Sequence, residues 1–78
     1  HDCVLEDGVE IGPGAVLCGR VYVDKNSWIG ANTTVLPRIK IGSNSIIGAG
    51  AVVVTDIPSN VIAVGVPAKV IRENLINE

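Results

Sequence analysis

The residues from Ile29 to Val52 read IGANTT at 29–34, VLPRIK at 35–40, IGSNSI at 41–46 and IGAGAV at 47–52, four units of six with one pattern. An aliphatic residue opens each unit, and the fifth position (Thr33, Ile39, Ser45, Ala51) is small or β-branched. Extended outward, the frame holds from Leu5 to Pro58 as nine units opened by Leu5, Ile11, Leu17, Val23, Ile29, Val35, Ile41, Ile47 and Val53. The fourth position is Gly or Asn in six of them and Arg20, Arg38 or Asp56 in the others. Glycine and asparagine tolerate positive φ, so a sharp corner recurs with the unit. A period of six matches neither the amphipathic helix near 3.6 nor the half-buried strand at 2, and a fixed internal period outranks both readings.

Physically the pattern is an all-β, triangular parallel β-helix: each unit is one short flat face, and three units close a coil of 18 residues. Residues 18 apart then stack, which gives three interior columns: Leu5, Val23 and Ile41; Ile11, Ile29 and Ile47; Leu17, Val35 and Val53. Such a solenoid is held by contacts between neighbouring coils, and its end coils need caps or partners. The repeat region is read as 1–58. Past Pro58 the pattern fails, so 59–78 is read as a C-terminal cap in which Gly65 and Pro67 turn the chain and residues 70–75 form a short helical turn or two over the last coil.

A chain of 78 residues has room for one domain with a thin core. Its residues are 47% hydrophobic but only 3% aromatic, which suits a prism too narrow for rings; Tyr22 and Trp28 fall at sixth positions, pointing outward. A net charge of −2 argues against a nucleic-acid binder, which needs a basic stripe. With no apolar run long enough to span a membrane and no signal peptide, a cytoplasmic protein is expected. Cys3 and Cys18 fall three positions apart in the coil register, roughly 10 Å along a strand, too far for a disulfide. One histidine leaves too few ligands for a zinc site of the β-helical kind, so no metal is expected. Asp2, Arg20, Arg38 and Asp56 share the fourth position on successive coils and form a stacked charge ladder, either a solvated one or one whose arginines hold an anionic part of a substrate. The chain starts without Met and already in register, from which further coils and a separate domain are expected ahead of it.

The Ile-Gly units at Ile11, Ile29, Ile41 and Ile47, the run from Ile47 to Val53 and the ending Gly65-Val66-Pro67-Ala68-Lys69-Val70-Ile71-Arg72 resemble the hexapeptide-repeat acyltransferases. Within them, His1-Asp2-Cys3 followed by the stretch from Gly12 to Gly19 is most similar to the sialic acid O-acetyltransferase (NeuD-type) sugar acyltransferases of bacteria. The resemblance implies a left-handed coil, a homotrimer, acetyl-CoA lying along the cleft between adjacent prisms, and an acceptor that is a sugar or nucleotide-sugar. It implies His1 as general base with Asp2 beside it. It implies acyl-CoA contacts at Gly19, Ala49, Gly65, Lys69 and Arg72, Gly19 offering its N–H to the thioester oxygen. Independently, imidazole is the side chain whose ordinary pKa suits taking a proton from a hydroxyl or amine near neutral pH. Glu10, expected at the acceptor, stands where the family often has a second histidine that contributes to the acetyl-donor or acceptor site; an ionised carboxylate cannot donate a hydrogen bond, so either acceptor binding differs or activity is weakened. The expected activity is acetyl transfer from acetyl-CoA to a hydroxyl or amino group of a sugar. The alternative is a β-helical trimerisation module without activity, which acetyl-CoA binding would separate from the enzyme.

Overall fold

The computed structural model describes residues 2–75; His1 and residues 76–78 lie outside the described residues. Nine two-residue strands come first: β1 (Val4–Leu5), β2 (Glu10–Ile11), β3 (Val16–Leu17), β4 (Tyr22–Val23), β5 (Trp28–Ile29), β6 (Thr34–Val35), β7 (Lys40–Ile41), β8 (Ile46–Ile47) and β9 (Val52–Val53). Each joins the outward sixth residue of one unit to the inward first residue of the next, as alternation along a strand requires. The strands stack in parallel into three faces: β1-β4-β7, β2-β5-β8 and β3-β6-β9. Every register is 18 residues, with Leu5 paired to Val23, Ile11 to Ile29 and Leu17 to Val35. The coil is the parallel β-helix that the repeat predicted, of the left-handed kind that the resemblance implied.

The three aliphatic columns point inward and close progressively along the axis. Val23, Ile29, Val35, Ile41, Ile47 and Val53 are at most 1% exposed, whereas Leu5 is 46% and Ile11 37% exposed because no described coil covers them. Fifth positions fill the remaining interior. Ser27, Thr33 and Ser45 are fully buried there, and their hydroxyls are satisfied by the coil backbone: Ser27 Oγ donates to Gly42 O, Thr33 Oγ1 to Gly48 O at 3.1 Å, and Ser45 Oγ to Pro58 O at 2.7 Å. A buried hydroxyl without such a partner would be destabilising.

The corners are left-handed where the fourth positions placed them. Asn26, Asn32 and Asn44 lie at φ 56–61°, and Asp2, Arg20 and Arg38 at 61°, 64° and 65°. Asp56 does not continue this ladder, contrary to the expectation from spacing. The chain turns in two residues fewer after Val53, so that Ile57 bridges Ile41. Asp56 instead accepts a hydrogen bond from Lys40 N at 2.9 Å.

The last segment is also a correction. Among the described residues no helix covers the end; β10 (Val61–Val64) continues the second face by pairing in parallel with β8, Ala63 against Ile47, and β11 (Lys69–Glu73) returns antiparallel beside β10. The second face therefore has five strands in the order β11-β10-β8-β5-β2. Val61 and Ala63 are buried, extending the second column by one layer. A strand wins over a helix at 69–73 because the exposed edge of β10 offers backbone partners along its length, and Val70 and Ile71 are β-branched.

Candidate functional site

Along the second face runs a groove of about 520 Å³, a size usual for ligand sites. Its floor and walls come from three stacked coils at their sixth to third positions: Glu10, Trp28 and Ile46 outward, then Gly12, Gly30 and Gly48, then Pro13, Ala31 and Ala49. The glycine column makes the groove. A Cβ on Gly12 would lie 2.6 Å from Ala31 N and one on Gly30 2.6 Å from Ala49 N, so successive coils approach at this corner more closely than any side chain allows. The other two corners carry Glu6, Asp24 and Gly42, or Cys18, Leu36 and Val54, at the same position; the first has one close approach, a Cβ on Gly42 falling 2.5 Å from Ser59 N, beside a hollow of about 460 Å³ with a charged lining, and the second has no glycine. Val64 leans over Gly48, its Cγ1 2.8 Å from where a Cβ would sit, and bounds the groove on the β10 side.

Trp28 is 53% exposed and its Nε1 donates to Glu10 Oε1 at 2.6 Å, between residues paired across β2 and β5. Glu10 is the ionisable side chain of the lining.

Lys69 and Arg72 are three residues apart, so on a regular strand they would point to opposite faces. A bulge changes this. Val64 opposes Lys69, Ala63 opposes Val70, and Ile62 opposes Arg72, with Ile71 as the extra residue. Ala63 is fully buried, so Ile62 and Val64 face outward and both cations share their side. The cations therefore stand on the face that carries the groove, two strands beyond β8. Gly65, at φ 102°, turns the chain between the two strands, and its carbonyl accepts from Val52 N at 3.1 Å. That contact, with Ala68 N donating to Val52 O at 2.8 Å, pins the turn against the third face.

Of the residues expected from sequence, the structure brings Glu10 and Ala49 into the groove and puts Lys69, Arg72 and Gly65 at the end of the same sheet. Gly19 and Asp2 stand elsewhere in the chain, at the corner between the third and first faces, where Gly19 O accepts from Arg38 N at 3.0 Å. His1 lies outside the described residues. Cys3 and Cys18 are thiols, with Cys3 Sγ donating to Cys18 O at 3.1 Å. Among the described residues no three His, Cys, Asp or Glu side chains are grouped to hold a metal, and no helix is long and apolar enough to cross a membrane. Sequence reasoning overlooked Trp28 and the glycine column. Both were signalled by the 18-residue register, which places Trp28 over Glu10 and stacks Gly-Pro, Gly-Ala and Gly-Ala at one corner.

Residues 20–55 match the family described as bacterial transferase hexapeptide (six repeats). That stretch carries the repeat of the hexapeptide-repeat transferases. A galactoside O-acetyltransferase of Lactococcus lactis is 50% identical over 60 residues, covering 77% of this chain and 29% of that protein. The perosamine N-acetyltransferase of Caulobacter crescentus, solved with CoA and GDP-perosamine, superposes with a TM-score of 0.87 at 43% identity, over 88% of this chain and 33% of that one. The acetyltransferase domain of PglB from Neisseria gonorrhoeae, solved with acetyl coenzyme A, gives 0.90 at 41% identity, over 91% and 35%. The chain thus spans about a third of the length of the relatives it matches.

Proposed function

We propose that this chain is the donor-binding β-helix of an acetyl-CoA-dependent acetyltransferase whose acceptor is a hydroxyl or amino group of a sugar or nucleotide-sugar. The observation that carries the reading is the glycine-hollowed groove running along the sheet whose far end presents Lys69 and Arg72 on the same side. The groove's small apolar lining suits a pantetheine arm, and the paired cations suit its phosphates. The matched proteins solved with CoA or acetyl-CoA support the assignment.

In this reading His1 accepts the proton from the acceptor as its oxygen or nitrogen attacks the thioester carbonyl, and Asp2 orients the imidazole; the carbon–sulfur bond then breaks, and CoA leaves as the thiolate and takes that proton from the imidazolium. The Gly19 N–H faces the carbonyl oxygen, where a positioned donor stabilises developing charge. The protein acts as a homotrimer in the cytoplasm, which lets the Asp2–Gly19 corner of one copy meet the groove of the next.

Calorimetric titration with acetyl-CoA tests the donor half: saturable binding that weakens with salt is expected, and none would leave only the trimerisation role. Replacing His1 by Ala in the full-length protein is expected to lower kcat by about 10²–10⁴ with the donor KM held; an unchanged kcat would remove His1 from the reaction.

A further inference from the structure

We infer that Glu10 is a positioning residue: it holds the Trp28 indole as a fixed wall of the groove and thereby sets its affinity for the acyl donor. The inference rests on the acyl-donor reading of the groove.

An indole half in water at the outward position of a two-residue strand has only weak packing to choose its rotamer. The neighbours that line the groove around it are mostly Gly, Ala, Pro and Ile, which offer its N–H no side-chain acceptor. Glu10 does, at 2.6 Å and from the strand directly below. A carboxylate accepting from a neutral N–H makes a charge-assisted bond of this short kind.

The same bond explains a negative charge in a groove assigned to a polyanionic donor. One carboxylate oxygen is tied to the indole, which fixes where the charge sits and gives the side chain a structural partner. This differs from the acceptor-binding role expected for position 10 from sequence. The first face repeats the device, with Tyr22 OH donating to Glu6 Oε2 at 2.9 Å. Tyr22 too lines a hollow, of about 460 Å³, but that one has a single glycine, Gly42, and is lined by Asp24, Lys40 and Asp56, unlike the apolar groove assigned to the donor.

Trp28 is the sole tryptophan, so its fluorescence reports the ring directly. The experiment compares the wild type with Glu10→Gln, which keeps an acceptor oxygen, and Glu10→Ala, which does not. In the unliganded proteins acrylamide quenching and steady-state anisotropy are read, with thermal unfolding as the check on folding. In the full-length enzyme KM for acetyl-CoA and kcat are read. Glu10→Ala should quench faster, lose anisotropy and raise the acetyl-CoA KM about fivefold to tenfold with kcat held, the size expected for one exposed charge-assisted bond. Glu10→Gln should stay within about twofold of wild type on every readout, less than the loss of one net hydrogen bond. An indole equally restrained in Glu10→Ala, or a donor KM unmoved by a freed indole, overturns the inference. Failure of the wild type to bind acetyl-CoA while its indole is restrained would instead strike the groove's assignment, and with it only the ligand half of this inference.

Discussion

Arg20 and Arg38 sit in left-handed backbone, at φ 64° and 65°, at corners where this chain elsewhere uses Gly or Asn. Left-handed backbone costs a side-chain-bearing residue about 1–2 kcal/mol, while glycine loses about 0.5–1 kcal/mol to unfolded-state entropy. Arg38→Gly is therefore expected to stabilise the fold by about 0.5–1 kcal/mol, read as a higher urea midpoint at unchanged slope; a lower midpoint would mean that the guanidinium makes contacts worth more than its strain. Tyr22 presents the opposite case, a side chain tuned by its neighbours. The bond to Glu6 raises its pKa above the ordinary 10.0, with smaller contributions from burial and from the charge of Asp24. A folded pKa above the unfolded value means that stability is fully present below about pH 10 and is lost as pH rises through the folded pKa. Absorbance titration of this single tyrosine should give a midpoint above 10, and Glu6→Gln should bring it back toward 10; a midpoint that Glu6→Gln leaves in place would assign the shift to other groups.

Among the elements, the β10–β11 hairpin is where the sequence was least legible. The first eight repeat units were readable because one constraint, the closing of a coil, is written at each of their first and fourth positions. The hairpin carries no repeat, and its Lys-Val-Ile-Arg-Glu run at 69–73 fits a helical turn or an edge strand by composition alone. What decides it is the tertiary offer of an open edge on β10, invisible until the second face is built. The shortened turn after Val53 was hidden for a related reason, since Ile57 is β-branched and passes for a fifth-position residue while taking a first-position place against Ile41. In the groove, the register made Glu10 and Trp28 neighbours, but the hydrogen bond between them depends on side-chain reach that spacing does not specify. The bulge at Ile71 has its own consequence: because Ile71 is the extra residue, deleting it leaves Lys69 and Arg72 two apart on a regular strand and still on one side. Acetyl-CoA binding and its salt dependence should therefore survive the deletion, whereas Arg72→Ala should weaken binding by about tenfold, the worth of one charged contact, and make the salt dependence shallower; an unchanged salt slope in Arg72→Ala would show that the two cations do not act on one ligand.

At the scale of the whole molecule, one prism carries two unlike corners. The corner between the second and third faces is hollowed by Gly12, Gly30 and Gly48. The corner between the third and first faces bears a ridge of Cys18, Leu36 and Val54 at the same position of the unit, with Leu36 36% and Val54 41% exposed and Val16 beside them at 53%. An apolar ridge that recurs with the coil fits a partner of the same axial period, and a second copy of this chain has that period. Joining the ridge of one copy to the groove side of the next is a heterologous contact, which must close into a ring or run on as a filament. Corners of a triangular prism are turned by about a third of a circle from one another, so the closed ring this contact would make has three copies. In the proposed trimer that closure would carry Gly19, next to the ridge, toward Ala49 and Trp28 of a neighbour, which the proposed reaction needs. Light scattering at micromolar concentration should therefore give three times the 8.1 kDa of the single chain. Leu36→Asp places a charge on the ridge while leaving the three interior columns untouched, and should shift the species to monomer with the β-sheet circular dichroism retained. A wild-type monomer, or a trimer indifferent to Leu36→Asp, would mean that the ridge faces water and that the two corners never meet.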